Sequence, residues 1–156
     1  MAEQSEISTE DIIYILENTW EKSRGEWKVA NPEERMETLS FLQNRLTQTK
    51  KDGVARIWRT DEGMPIAVLG AYISGPERYE TFLICSEHME EHSIRLSFDM
   101  RKMLKDLALK YKGHRCGQYA ILDRQDQISW FRFLGFKYKP EGNRGNMKYF
   151  EFEAPT

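Results

Sequence analysis

The chain has 156 residues, 40% of them hydrophobic and 31% charged, with 25 acidic against 23 basic side chains. That length allows one ordinary core to fold without staples, and the composition excludes a disordered chain. A formal charge of -2 gives no global pull on phosphate backbones, which argues against a dedicated nucleic-acid binder and leaves only local patches to weigh. One domain over 1–156 is expected, with residues 1–7 a flexible, acidic N-terminus. Cys85 and Cys116, the two cysteines, lie in apolar stretches and read as buried reduced thiols of a cytoplasmic protein. The N-terminus has no apolar leader, and no run is long enough to span a bilayer, so a soluble, unexported protein is expected.

In chain order, Ser8 or Thr9 caps a first helix whose stripe is Ile12, Ile13, Leu16 and Trp20. Ser23-Arg24-Gly25-Glu26 breaks it. Asn31-Pro32-Glu33-Glu34 starts a second helix, with Met36, Leu39, Leu42 and Leu46 at helical spacing and an end near Lys50-Lys51-Asp52-Gly53. The period then changes: 54–60 alternates, Asp61-Glu62-Gly63 turns, 65–73 returns, Ser74-Gly75-Pro76 turns again and 79–85 makes a third antiparallel strand. From Ser93 the spacing of Ile94, Phe98, Leu104, Leu107, Ala108 and Tyr111 predicts the longest helix, stopping at Lys112-Gly113. A buried-type strand over 116–122, a short helix over 128–134, strands at 136–138 and 147–153 and a polar loop at 140–146 complete the order. Strand, long helix, strand in the middle forms a right-handed parallel crossover, so a mixed, mostly antiparallel α/β sheet of about six strands flanked by helices is expected.

This order, together with Trp130-Phe131-Arg132-Phe133-Leu134-Gly135-Phe136, resembles the GNAT superfamily of N-acetyltransferases, in which a Phe-Tyr-x-x-Leu-Gly-Phe helix follows the strand lining the acyl-CoA thiol. The resemblance implies acetyl-CoA as the cofactor and an amine as acceptor. It also exposes three departures. The family's Gln/Arg-x-x-Gly-x-Gly/Ala loop, whose amides hold the CoA pyrophosphate, corresponds to Ser86 through Arg95, which has no glycine and carries Glu87, Glu90 and Glu91. Like charges about 4 Å apart repel by about 4 kcal/mol at an effective dielectric near 20, so these acids oppose a diphosphate. His88, His92, Ser93 and Arg95 are the residues left to hold it. The family's Tyr general acid falls on Phe131, and its upstream Asn on Arg124.

Similar losses mark the small GNAT-like internal virion or assembly proteins of short-tailed bacteriophages, which the long basic helix and the strand ending in Asp123 also resemble. The leading expectation is therefore a GNAT-fold protein with a degenerate acyl-CoA site that acts as a protein-binding or virion-assembly module. The alternative is an active acyl-CoA-dependent N-acetyltransferase, with Glu80 or Asp123 as base and Tyr119 or Tyr138 as acid. A nucleic-acid-associated binder is the third reading. Trp27, in the break after the first helix, and Arg144 and Lys148, around the glycine-containing loop, are the candidate partner contacts. Asp99 and Asp126 are weaker proton acceptors, read as surface charges. His88-Met89-Glu90-Glu91-His92 formally matches H-x-x-E-H, but the segment is Glu-rich and no third ligand is identifiable, so no metal is expected. Basic residues on the long helix, Arg101 to Lys112, read as a solvated face.

Overall fold

The computed structural model describes residues 7–21, 32–120, 125–145 and 147–152. Helix α1 (Thr9–Glu17) begins at a reciprocal cap: the Asp11 amide donates to the Ser8 hydroxyl at 3.2 Å and the Ser8 amide donates to the Asp11 carboxylate at 2.9 Å. That carboxylate also receives both terminal nitrogens of Arg59, at 2.8 and 2.9 Å. Burial alone would raise the Asp11 carboxyl, but Arg59 and the Ser8 amide outweigh it and hold the group below its ordinary 3.8. One side chain thus starts the helix and pins it to the end of strand β1 (Val54–Arg59).

The helix stops at Glu17, short of the predicted Trp20. The Asn18 amide closes the last turn on the Tyr14 carbonyl, and the Trp20 amide donates to the Cys85 carbonyl at 3.0 Å. Trp20 is buried by this short extended bridge, edge-on to Trp130 with ring centroids 5.5 Å apart, and not by a helical stripe. Helix α2 (Pro32–Asp52) buries Leu42 and half-buries Leu39 and Leu46, while Met36 is exposed.

Strands β2 (Pro65–Gly75) and β3 (Arg78–Cys85) complete the predicted antiparallel meander with β1. Helix α3 (Met89–Lys110) then crosses over to β4 (Arg115–Ala120), which pairs parallel with β3. Helix α4 (Gln125–Leu134), β5 (Phe136–Tyr138) and β6 (Lys148–Phe152) follow, giving a six-stranded mixed sheet ordered β1-β2-β3-β4-β6-β5. Helix α3 starts four residues before the predicted Ser93. Its buried seam is Leu96, Met100, Leu104 and Leu107, whereas Ile94 and Phe98, expected within it, are 78% and 57% exposed. At 100° per residue Ile94 lies about 200° from Leu96, so an apolar pair at helical spacing has taken the wrong side of the helix.

Strand alternation divides the apolar residues between two cores. Ile57, Val68, Phe82 and Ile84 pack under α1 and α2; Trp58, Leu69, Tyr79, Leu83 and Cys116 pack under α3 and α4. Phe131, the position of the missing general acid, is 1% exposed within the second core, against Phe136 and Phe150 at ring distances of 5.5 and 5.1 Å. Both cysteines are buried thiols, and burial pushes Cys116 up to about 12. Among the described residues no helix is long and apolar enough to cross a membrane.

The Leu134-Gly135-Phe136 junction has a backbone cause. Gly135 adopts φ +112°, closing α4 through its amide to Phe131 and Arg132 carbonyls, and a Cβ there would collide with the Phe152 ring. Gly135→Ala is expected to cost about 1–3 kcal/mol in a urea titration. Asp11→Asn is expected to cost about 1–3 kcal/mol near neutral pH. The Asp11 contribution is complete above its unfolded value of 3.8 and is lost as pH falls through the lower folded value, so the gap between variant and wild type should close in acid.

Candidate functional site

The parallel pairing of β3 and β4 lasts three residue pairs, Arg78 with Arg115, Tyr79 with Cys116 and Glu80 with Gly117, after which the backbones part. Diverging parallel strands open a crevice at their carboxyl ends. At the first unpaired level Thr81 and Gln118, both buried, bridge the gap instead: the Thr81 hydroxyl donates to the Gln118 side-chain carbonyl at 2.7 Å. Successive β3 side chains point to opposite faces, so the split has two differently furnished sides.

On the α1/α2 side lies a cavity of about 170 Å³. Glu80 and Phe82 from β3 and Tyr119 from β4 form its floor, Tyr72 comes from β2, Phe41 and Arg45 from α2, and Arg144 from the loop before β6. The Tyr72 hydroxyl donates to Glu80 Oε1 at 3.3 Å and is pushed up to about 12, first by burial and then by the Glu80 charge, with Arg45 and Arg144 pulling the other way. It therefore stays protonated through the neutral range. Arg45 lies 4.3 Å over the Phe41 ring and 5.0 Å over Tyr72; Arg144 lies 4.6 Å over Tyr119, itself tilted on Tyr149 at 5.0 Å. Gly70 is paired opposite Phe82, and a Cβ there would collide with that ring, so glycine lets Phe82 lie flat on the floor.

Among the helices that cover the other face of the sheet, a groove of about 290 Å³ runs between α3 and α4. Trp20, Ile94, Phe98, Trp130 and Phe133 line it, and the Trp130 indole donates to Ser97 Oγ at 2.8 Å. Phe98 meets Phe133 edge-on at 5.2 Å, with the Arg101 guanidinium 5.0 Å above Phe133.

The start of α3 does not fit a diphosphate held by backbone amides. The His88 amide donates to Ser86 Oγ at 3.3 Å, and the Met89 and Glu90 amides to the carbonyls of Ser86 and Glu87. Those donors are spent, and Glu87, Glu90 and Glu91 are exposed around them. The His88 ring is turned away, stacked on Tyr14 with its Nε2 2.7 Å from the Tyr14 hydroxyl. His92 is half-buried, Ser93 lines the α3–α4 groove and Arg95 is exposed. Among the described residues no three His, Cys, Asp or Glu side chains converge as a metal site.

The other sequence candidates separate. Asp123 and Trp27 lie outside the described residues. Tyr119 and Arg144, assigned to different roles from sequence, meet in one cavity. Tyr138 sits on the opposite face, paired across the sheet with Phe150 of the second core; its hydroxyl accepts from Asn143 Nδ2 at 2.8 Å, and Lys148 Nζ lies 5.9 Å from its ring. Tyr119 and Tyr138 are therefore not alternatives for one position. Asp99 lines a third depression together with Arg56 and Lys102. Sequence reasoning missed Phe41, Arg45 and Tyr72: Arg45 reads as one of many charges on α2, and only the packing of α2 over β2 brings it to the cavity. Thr81→Val should cost about 1–3 kcal/mol by stranding a buried amide, whereas Thr81→Val with Gln118→Leu should recover most of it in the same denaturation measurement.

No family model and no curated protein sequence matches the chain. Solved structures do. PaiA N-acetyltransferase from Thermoplasma acidophilum, solved with coenzyme A, shares 17% identity over 98% of this chain and 99% of its own, with a TM-score of 0.63. An acetyltransferase from Agrobacterium tumefaciens shares 15% over 94% and 87%, at 0.67. A GNAT superfamily phosphinothricin acetyltransferase from Sinorhizobium meliloti, solved with acetyl-CoA, shares 16% over 96% and 86%, at 0.56. At such identities the common property is architecture, and the chain has the GNAT fold, a mixed six-stranded sheet with helices on both faces.

Proposed function

We propose that the protein is an acyl-thioester-dependent N-acyltransferase acting on an amine held in the cavity over β3 and β4. The observation that carries this reading is the position of Glu80: a half-buried carboxylate at the last paired level of the parallel strands, oriented by Tyr72 and facing a small aromatic-walled cavity. A bound acyl thioester supplies an electrophilic carbonyl. The chain's own part is to bind an ammonium at Glu80, accept its proton on the carboxylate so that nitrogen gains a free lone pair, and keep water out with Phe41 and Phe82. Tyr72 contributes a neutral hydroxyl, and Tyr119 lines the same cavity. With the first amides of α3 already bonded, the donor's diphosphate end depends on side chains, of which His92, Ser93 and Arg95 are nearest in sequence.

A second reading has its own support. The internally bonded α3 start, the core position of Phe131 and the exposed Ile94–Phe98–Phe133 strip also suit a degenerate fold that binds a protein, including the virion-assembly role of the phage resemblance.

The two readings differ in calorimetry and turnover. The enzyme reading expects micromolar acetyl-CoA binding and amine-dependent thiol release, with Glu80→Gln lowering turnover by about 10²–10⁴-fold while the thermal midpoint stays near wild type. No heat at millimolar acetyl-CoA, with a larger protein co-purifying, would replace it with the binding-module reading.

A further inference from the structure

We infer that the amine acceptor is an α-amino acid with an apolar side chain, its ammonium on Glu80 and its carboxylate on Arg45 and Arg144; this rests on the acyltransferase reading above. The cavity carries one carboxylate and two guanidinium groups, and among the described residues neither arginine forms an ion pair, with Glu80 or with any other acid. Arg45 Nε is buried without a hydrogen-bond partner. A buried donor left unmade is costly, and a ligand carboxylate is the group whose two oxygens match a guanidinium edge.

Both arginines are held in place before any ligand arrives. Arg45 is clamped between the Phe41 and Tyr72 rings, and Arg144 lies on Tyr119 at a loop position fixed by reciprocal backbone bonds with Met147 of 3.0 and 2.9 Å. Ordering long side chains in advance removes a cost that binding would otherwise carry. All three charged groups line one cavity together with Tyr72. An amine without an anionic group would satisfy Glu80 and set its own charge against two guanidiniums. An amino acid satisfies both signs, and Phe82 and Met147 leave apolar wall for its side chain.

The test is calorimetry on the full chain with L-leucine, L-methionine and L-phenylalanine, each beside the amine that lacks its carboxylate, with and without coenzyme A present. At least one amino acid is expected to bind about tenfold or more tighter than its amine. Arg144→Ala and Arg45→Ala should each erase that preference, weakening the amino acid and relieving the repulsion on the amine, with circular dichroism showing both variants folded. Equal or tighter binding of the amines, or no binding of any of the three amino acids, overturns the inference. Acetyl-CoA titrated into the same protein separates the two failures: if it binds and the amino acids do not, the acceptor class is wrong and the acyltransferase reading stands; if neither binds, both fall.

Discussion

The two middle strands of the sheet run together for three residue pairs and then separate, and the rest of the molecule is arranged around that separation. Parallel neighbours cannot be joined by a tight turn, so the chain must cross over, and α3 is the crossover that covers one face. Where the strands part, polar groups that a longer ladder would have paired need other partners. Thr81 and Gln118 meet part of that need with side chains and hold the mouth of the split at a fixed width. The cavity opens beside that gap, on the face covered by α2.

Because side chains along β3 alternate, one strand serves two purposes without conflict. Tyr79 and Leu83 face the core beneath α3 and α4, while Glu80 faces the cavity. A polar residue on this strand is tolerated because it is only half-buried and its carboxylate accepts from the Tyr72 hydroxyl. The same alternation puts Tyr119 and Tyr138 on opposite faces although both belong to the sheet near the split. Any catalytic scheme that treats them as interchangeable ignores the thickness of the sheet.

Local signals in the sequence were sound where a single backbone fact explains them. Ser8 and Asp11 start α1, the period change at Val54 marks the meander, and Leu134-Gly135-Phe136 marks the positive-φ stop of α4 and the turn into β5. Periodicity failed where two apolar sets compete on one helix. Ile94 and Phe98 have helical spacing, but the seam of Leu96, Met100, Leu104 and Leu107 is longer and wins the core, leaving the pair at the groove. Trp20 has the spacing of a helical stripe yet is buried by a backbone bridge to Cys85, a long-range contact with no local trace. The site was legible in part: Glu80, Tyr119 and Arg144 were singled out, but their convergence with Arg45 and Tyr72 depends on how α2 packs over β2.

The short parallel junction also bears on the order in which the protein assembles. Strands β1 to β3 are joined by short turns, and β5 and β6 by the connection over 139–147, so each group can form from contacts near in sequence. Joining the groups requires β4 to find β3 across the whole of α3, a closure with a large entropic cost and few backbone bonds in return. The junction is thus suited to form late. A chain halted just before that step would hold nearly all its secondary structure and still lack both cavity and groove, so binding competence would report completed folding more sharply than helix content does.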